Sequence, residues 1–321
     1  MRLIFLGTPA FAVPMLEAIV GAGHQVAAVL TQPDRPSGRG QNAAASPVKR
    51  AALGLGLTVN KPERVRRPEA VEVLRGIGSD AMVVVGYGQI IPQAAIDLAP
   101  FGIINVHASL LPKYRGAGPI QWAIVRGETR TGVTTMRIDA GLDTGDMLLK
   151  AETGIGPEEN AVELGARLAA MGADLLVETL EGLRAGRIVP EEQDDAQATL
   201  APLLKKEDGA IDWSEPAQAI HNRVRGMQPW PGARTGFRGV PLHVWKSKSP
   251  AGGPGADQGV RPTTEKTPGQ FVSLKPLVVA CGQGSLELLE VQLEGRKRIS
   301  AADFANGQRL TDNDILGEPR N

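Results

Sequence analysis

Residues 101–124 read FGIINVHASLLPKYRGAGPIQWAI, and this stretch decides how the first half of the chain is interpreted. The run FGIIN is mostly apolar and contains β-branched residues, which is typical of a buried strand; Asn105 is its last residue, and His107 lies two positions later. Side chains two positions apart on a strand point to the same face. Ligands of open α/β sheets bind at the carboxyl ends of the strands, so the stretch predicts a site at the edge of a sheet.

The similar apolar runs RLIFL, QVAAVL and AMVVVG also occur in the first 150 residues, and the segments GVTTMRID and MLLKAE come later in the chain. Continuous apolar strands separated by helical segments are typical of a parallel sheet covered on both faces. A long helix is predicted to open at Pro157, with apolar residues at 161, 164, 168, 171, 175 and 176. We therefore expect a Rossmann-like, mostly parallel sheet domain over residues 1–189.

The residue pattern of the chain changes after that helix. Residues 190–207 are polar and aperiodic, which predicts a linker. Beyond them, short apolar runs alternate with glycine turns, and one helical stretch covers about 215–224. This pattern predicts a smaller carboxy-terminal β-barrel, OB-like in type, over residues 208–321, with an exposed loop at 249–268.

Composition excludes several classes of protein. The chain has 321 residues, of which 42% are hydrophobic and 22% charged, so two packed domains are expected. No apolar run is long enough to span a membrane, and Gly7, Thr8 and Pro9 interrupt the first one too early for a signal peptide. The single cysteine, Cys281, excludes an intrachain disulfide and predicts a reduced, cytoplasmic setting, with Cys281 as a core residue.

Two kinds of cofactor are disfavoured. The four histidines, 24, 107, 221 and 243, show no paired spacing typical of metal ligands, so no metal is predicted. The turn FLGTPAFA lacks the G-x-G-x-x-G pattern, which argues against a nicotinamide cofactor.

The residue types at the strand end suit acid–base chemistry. An imidazole exchanges protons near neutral pH, and a carboxamide can donate a hydrogen bond to a developing oxyanion. A carboxylate to orient the imidazole is available in DAGLDTGDML, residues 139–148, where Asp139, Asp143 and Asp146 are candidates. Taken singly, a histidine at a strand end and an Asp/Gly turn are more often structural. The residues alone leave the choice of carboxylate open.

Six segments, in order, resemble the 10-formyltetrahydrofolate-dependent formyltransferases. They are MRLIFLGTPAFAVPML, QPDRPSGRG, VVVGYGQIIP, NVHASLLPKYRGAGPIQWAI with a downstream LDTG, GAIDWSEPAQAIHNRVRGMQPWPGA and RISAADFANGQRL. The resemblance implies that Asn105, His107 and Asp143 are the catalytic trio, since Asp143 holds the LDTG position. It also implies direct transfer: an amine attacks the formyl carbon, Asn105 and protonated His107 stabilise the oxyanion, and Asp143 supports His107 and relays the proton.

The resemblance further implies 10-formyltetrahydrofolate as the formyl donor and no metal. It assigns the folate site to two segments: Ser109, Leu110, Leu111 and Pro112, and Gly86, Tyr87, Gly88, Gln89 and Ile90.

Within the family, the match is to the branch that formylates methionine on charged initiator tRNA for translation initiation. This implies that the carboxy-terminal domain contacts the tRNA, and that the basic loop at 32–50 reaches its acceptor end. The tip QNAAAS is less basic than is usual in the family. The expected tRNA-binding residues are Arg35, Arg39, Lys206, Arg223 and Arg225.

Three alternatives remain open. A sugar-amine formyltransferase would need a nucleotide-sugar site and no RNA surface, and a hydrolase would release formate from the folate. A non-catalytic RNA-binding module is disfavoured because the trio is intact. We expect a monomer that binds no membrane.

Overall fold

The structure is a computed structural model that describes residues 1–36, 43–248 and 266–317. The chain divides into two compact units. The first holds Met1–Gly116, Thr131–Thr153 and Gly165–Ala201, and the second holds Ala117–Arg130, Gly154–Leu164 and Pro202–Asn321. The segment 190–207 is thus divided between the units after Ala201. The domain boundaries expected from the sequence stay a prediction.

A mostly parallel sheet forms the centre of the first unit. To residue 184 the elements are β1 (Arg2–Gly7), α1 (Val13–Gly21), β2 (Gln25–Leu30), β3 (Arg35–Pro36), β4 (Ala43–Ala44), α2 (Pro47–Gly54), β5 (Val59–Asn60), α3 (Pro68–Ile77), β6 (Ala81–Val85), α4 (Gln93–Ile96), β7 (Ile103–His107), α5 (Pro119–Val125, in the second unit), β8 (Arg130–Arg137), β9 (Met147–Gly154) and α6 (Ala161–Arg184). The strand order is β5-β2-β1-β6-β7-β8-β9, while β3 and β4 pair separately. The five neighbouring strands β5, β2, β1, β6 and β7 are parallel, and β8 runs antiparallel to β7. The predicted sheet is confirmed.

The central strands explain the apolar runs. Every residue of β6 and all of β1 except Arg2 are buried. A strand covered on both faces cannot alternate apolar and polar side chains, so its sequence reads as a continuous apolar run. Val84 of β6 pairs with Asn105 of β7, so these two strands end together at one edge of the sheet.

Helix α6 begins at Ala161, four residues later than predicted. The side-chain oxygen of Asn160 accepts from the backbone N–H of Val162 at 2.9 Å and of Glu163 at 3.1 Å. The Glu163 carboxylate accepts in return from the N–H of Asn160 at 3.0 Å, which completes a capping box. Pro157 suits a first turn, but this cap fixes the start. Ala161, Leu164, Leu168, Leu175 and Leu176 of the predicted apolar face are buried, whereas Met171 is half-buried.

The second unit contains a curled antiparallel sheet. Its further elements are α7 (Ala217–Gly226), β10 (Ala233–Phe237), β11 (Val240–Lys248), β12 (Phe271–Leu274), β13 (Leu277–Ala280), β14 (Ser285–Leu293), β15 (Ile299–Ser300), α8 (Ala301–Gln308) and β16 (Leu316–Gly317). The strand order is β12-β13-β14-β11-β10-β16, and β15 pairs with β14. A bridge between Gln270 and Ile315 brings the two edges together. The predicted barrel is confirmed as a half-barrel, and α7 is the predicted helix.

The core of this half-barrel is aromatic and aliphatic. The rings of Phe237 and Phe304 pack edge to face with centroids 5.1 Å apart. Cys281 is 8% exposed within the same cluster, as predicted, and burial raises the pKa of its thiol to about 12. The loop predicted at 249–268 lies outside the described residues except for 266–268.

Candidate active site

Asn105 and His107 lie at the carboxyl end of β7. Asn105 pairs with Val84 of β6 on one side and with Met136 of β8 on the other. Its side chain is half-buried, whereas His107 is 6% exposed. The strand alternation therefore places the amide and the imidazole on the same face at the edge of the sheet.

The loop between β8 and β9 brings Asp143 beside them. The Asp143 Oδ1 atom lies 3.5 Å from Asn105 Nδ2, and its Oδ2 atom lies 3.6 Å from His107 Nδ1. The same Oδ2 accepts a hydrogen bond from the backbone N–H of Gly116 at 2.9 Å. Asp143 adopts a φ of 53°, in the left-handed region. The structure thus brings the three predicted side chains together, at distances that binding of a substrate can shorten.

The other two candidate aspartates, Asp139 and Asp146, form bonds within the loop and its ends. Both oxygens of Asp139 accept from the hydroxyl of Thr144 at 2.8 Å, which holds the turn closed. The backbone carbonyl of Asp146 accepts from the N–H of Arg137 at 2.9 Å, which pairs the two ends of the loop. Of the three, only Asp143 contacts Asn105 and His107.

The ring of His107 is oriented from two sides. Its Nε2 atom lies 2.9 Å from the carbonyl oxygen of Tyr114, and a carbonyl oxygen can only accept. Nε2 therefore carries a hydrogen, and Nδ1 faces the Asp143 carboxylate. Because Nε2 is used inside the protein, Nδ1 is the ring nitrogen left to exchange a proton with a ligand.

The SLLP segment has two buried and two partly exposed side chains. Ser109 is fully buried and donates its hydroxyl to a backbone carbonyl four residues later at 2.6 Å. Leu111 is 2% exposed, and its N–H donates to the hydroxyl of Thr134 at 3.2 Å. Ser109 and Leu111 therefore shape the loop, whereas Leu110 and Pro112 keep partly exposed surface that a ligand can touch.

The segment 86–90 follows β6 at the same edge of the sheet. The Tyr87 ring is 1% exposed, and burial raises the pKa of its phenol to about 12. Its backbone oxygen accepts from the Thr8 hydroxyl at 3.2 Å and the Gln32 amide at 3.0 Å. Gly86 and Gly88 are exposed at φ values of 56° and 77°, so backbone groups, not side chains, form this surface.

A cavity of about 480 Å³ adjoins this segment. Gln89 is fixed at its wall, because its side-chain oxygen accepts from the N–H of Val65 at 2.7 Å, and Ile90 is 81% exposed. Two cations at the wall, Arg64 and Arg66, form no ion pair with another described residue. Seven of the described residues line the cavity, and the trio is not among them: Gln32, Glu63, Arg64, Arg66, Gly88, Gln89 and Ile90.

The predicted tRNA-binding arginines of α7 are engaged inside the second unit. Arg225 is 7% exposed and donates to the carbonyl of Gly156 at 2.9 Å and to the side chain of Asn222 at 2.9 Å. Arg223 donates to both carboxylate oxygens of Glu215 at 3.1 Å. These bonds give each guanidinium a structural role in this conformation.

The other predicted tRNA contacts differ in position. Lys206 is exposed and lines a cavity of about 840 Å³ together with Arg234. Within the described parts of the chain, neither cation forms an ion pair. Arg35 lies in β3, and Arg39 lies outside the described residues.

Sequence reasoning missed two buried residues beside the trio. Gln193 and Arg115 are each 7% exposed, and the amide of Gln193 donates to the backbone oxygen of Asp143 at 2.8 Å. Gln193 belongs to the segment predicted as a linker. No local signal distinguishes it there, because its partners are distant along the chain.

Residues 1–36, 43–248 and 266–317 contain neither a metal-binding cluster nor a membrane-spanning helix. No group of three or more His, Cys, Asp or Glu side chains is arranged to hold a metal ion. No helix in these ranges has the length and apolar character needed to cross a membrane.

Solved structures of low sequence identity share the fold. An N-formyltransferase from Helicobacter canadensis, solved with folinic acid and dTDP-3-aminofucose, is 16% identical with a TM-score of 0.66, covering 93% of this chain and 100% of that one. HypX from Aquifex aeolicus, solved with tetrahydrofolic acid, is 16% identical with a TM-score of 0.64, covering 95% of this chain and 47% of that one.

Other relatives have a much higher sequence identity to this chain. A methionyl-tRNA formyltransferase of Solibacter usitatus is 76% identical over 318 residues, and one of Koribacter versatilis is 56% identical over 320 residues, with 99% of each chain covered in both cases. The family model described as formyl transferase matches residues 1–180, and the model of the formyl transferase carboxy-terminal domain matches residues 203–309. The chain therefore belongs to the formyl transferase family.

Proposed function

We propose that the protein transfers the formyl group of 10-formyltetrahydrofolate to the α-amino group of methionine on charged initiator tRNA. The product is N-formylmethionyl-tRNA for translation initiation. The observation that carries this proposal is the high identity, along nearly the whole chain, to proteins named methionyl-tRNA formyltransferase. We infer that the enzyme works in the cytoplasm, where translation takes place, and as a monomer.

The first chemical step is addition of the amine to the formyl carbon. The lone pair of the neutral α-amine forms the new C–N bond, and the carbonyl π electrons move to oxygen. The side-chain N–H of Asn105 donates to this oxyanion, and a proton on Nδ1 of His107 is shared between the oxyanion and Asp143. Donors held in place in this way stabilise developing charge without reorganisation.

In the second step the oxyanion re-forms the carbonyl double bond, and the bond between the formyl carbon and N10 of the folate breaks with its electron pair left on N10. The Asp143 carboxylate accepts the proton that the attacking nitrogen loses, directly or through water. N10 receives a proton from the same His107–Asp143 pair as it departs, so no net proton is gained or lost. The hydrogen bond from Gly116 to Asp143 keeps one carboxylate oxygen aimed at the imidazole during both transfers.

The folate is assigned to the surface formed by residues 86–90, Leu110 and Pro112. Exposed backbone groups at Gly86 and Gly88 suit hydrogen bonding to the edge of a pterin ring. The neighbouring cavity carries Arg64 and Arg66 as cations without an ion pair to another described residue, which suits the carboxylates of the folate's glutamate.

The tRNA is assigned to the carboxy-terminal region and to the basic loop of residues 32–50. Lys206 supports this assignment because it is exposed and free of an ion pair with any described residue. Arg35 and Arg39 remain proposed contacts with the acceptor end. Arg223 and Arg225 are also proposed contacts, and both guanidinium groups additionally form bonds within the protein.

Formyl transfer to competing acceptors tests the proposal. Labelled 10-formyltetrahydrofolate is incubated with methionine-charged initiator tRNA, methionine-charged elongator tRNA or an amino-sugar nucleotide. We expect rapid, selective labelling of the initiator tRNA. Labelling of the sugar would keep the catalytic trio and overturn the assigned acceptor. Release of formate with no labelled acceptor would indicate a hydrolase.

A further inference from the structure

We propose that Gln193 is a positioning residue for formyl transfer, which holds the backbone that aims the Asp143 carboxylate at His107 and Asn105. This inference rests on the catalytic role proposed for Asp143. Gln193 lies in the segment that the sequence indicates is a linker, and it touches neither reacting group itself. Its effect would be transmitted through the loop between β8 and β9.

The amide of Gln193 binds the backbone on both sides of Thr144. Its Nε2 atom lies 2.8 Å from the carbonyl oxygen of Asp143 and 2.8 Å from that of Gly145, so both amide hydrogens are used. Gln193 is 7% exposed, so water does not compete for these bonds. The left-handed φ of 53° at Asp143 is unfavourable for a residue with a side chain, and the two bonds offset that cost.

Arg115 fixes which way the amide points. The Oε1 atom of Gln193 accepts from Nε of Arg115 at 3.0 Å, and Arg115 is itself 7% exposed. A guanidinium can only donate and a carbonyl can only accept, so the amide has a single orientation that satisfies all three contacts. Asp195 accepts from the other end of the guanidinium at 2.8 Å.

The same stretch of backbone orients the histidine. Arg115 follows Tyr114, whose carbonyl accepts from His107, and precedes Gly116, whose N–H donates to Asp143. Gln193 therefore connects the loop that carries the carboxylate to the loop that sets the imidazole. A shift of about 1 Å between such groups can lower a rate by up to about 10²-fold.

Gln193→Glu tests the inference. The change keeps the size of the side chain and an acceptor for Arg115, but it turns a carboxylate oxygen toward two carbonyl oxygens. We expect kcat to fall about 10- to 100-fold, with KM for folate and for tRNA within about twofold of wild type. Gln197→Glu is the matched control, because Gln197 is exposed and, among the described residues, its side-chain amide donates to the Asp194 carboxylate alone, at 2.8 Å. Its kcat should match the wild type.

A second variant keeps the test valid if the new charge disturbs folding. Gln193→Met removes the donor without adding charge, and its unfolding midpoint in urea and kcat are measured together. A fall in kcat with a midpoint close to wild type supports positioning. A wild-type kcat in a folded Gln193 variant would overturn the inference.

Combination with Asp143→Ala separates the two proposals. If Gln193 acts through Asp143, adding Gln193→Glu to Asp143→Ala should lower kcat by less than about twofold further. Full multiplication of the two effects would overturn the inference while leaving the role of Asp143 intact. A wild-type kcat in Asp143→Ala alone would overturn the proposed mechanism, and the role of Gln193 with it.

Discussion

The Nε2 atom of His107 lies 2.9 Å from the carbonyl oxygen of Tyr114, and this contact settles which ring nitrogen faces Asp143. Two residues later, the N–H of Gly116 donates to the same Asp143 carboxylate at 2.9 Å. A single short loop therefore orients both members of the pair. The precision of the site depends on this backbone as much as on the three side chains.

We expect Gly116→Ala to lower kcat about 10²-fold. Gly116 has a φ of 123°, and a Cβ atom there would lie 2.5 Å from the carbonyl oxygen of Ala201. The backbone must move to relieve this contact, and the N–H that aims Asp143 would move with it. Steady-state formyl transfer by the purified variant measures the change.

Gly76→Ala is the control for that substitution. Gly76 lies within α3, and a Cβ atom there would meet nothing within 4 Å. Alanine in a helix is favoured over glycine by about 0.5–1 kcal/mol, so the control should keep full activity and equal or greater stability. Equal activity in both alanine variants would contradict the role given to the 114–116 backbone.

Arg64→Ala should raise KM for the folate about three- to tenfold and leave kcat near wild type. Arg64 lines the cavity beside residues 86–90 and has no described partner that its loss would leave unpaired. Arg75→Ala is the control, because Arg75 forms an exposed ion pair with Glu72 at 3.3 Å away from this cavity. An unchanged KM in Arg64→Ala would mean that the donor's carboxylates bind elsewhere.

Stability should decline as the pH falls below about 6.5, in part because of His221. His221 is 2% exposed, accepts from Ser247 at 2.9 Å and donates to the carbonyl of Pro157 at 3.1 Å. Burial lowers its pKa below the ordinary value of 6.5; the charge of Glu158 opposes this shift, and that of Arg225 adds to it. The unfolded chain therefore takes up the proton first, and its uptake favours unfolding.

The measurement is the titration of each histidine by NMR, with urea unfolding at pH 5 to 8. Burial also lowers the pKa of His24 and His243, so separate signals are needed to assign the effect. His221 should titrate below 6.5, and the free energy of unfolding should decrease from pH 7 to pH 5. Titration of His221 above 6.5 would refute this explanation.

The fold was predictable because its main signals are local. The apolar runs of β1 and β6 reflect strands buried on both faces, and the spacing of polar residues after β7 follows from strand geometry. The start of α6 was missed because Pro157 and its acidic neighbours also suit a first turn. Only the bonds of Asn160 show where the helix begins.

The site was predictable only where residue type and position coincide. Asn105 and His107 could be paired from alternation along one strand, but Asp139, Asp143 and Asp146 could be ranked only by resemblance. Their roles separate in space because Asp139 accepts a local bond from Thr144 within the loop, whereas Asp143 faces Asn105, which lies 38 residues away along the chain.

Gln193 and the arginines of α7 both show that a sequence does not reveal the hydrogen-bond partners of a polar side chain. Gln193 looks like part of a polar linker, yet its partners lie 50 and 78 residues away along the chain. Arg223 and Arg225 look like a basic surface, yet carboxylate and carbonyl oxygens of the same unit occupy them. The charge and polarity of a sequence segment do not predict which groups its side chains bind in the folded protein.

The central claim is that Asn105 stabilises the oxyanion beside His107 and Asp143. The most direct test is the single-turnover rate of formyl transfer to methionine-charged initiator tRNA by Asn105→Ala. Asn306→Ala, at an exposed position in α8, serves as the control. We predict a fall of about 10²–10³ for Asn105→Ala, with unchanged folding and a wild-type rate in the control. A rate within about twofold of wild type in Asn105→Ala would contradict the proposed mechanism.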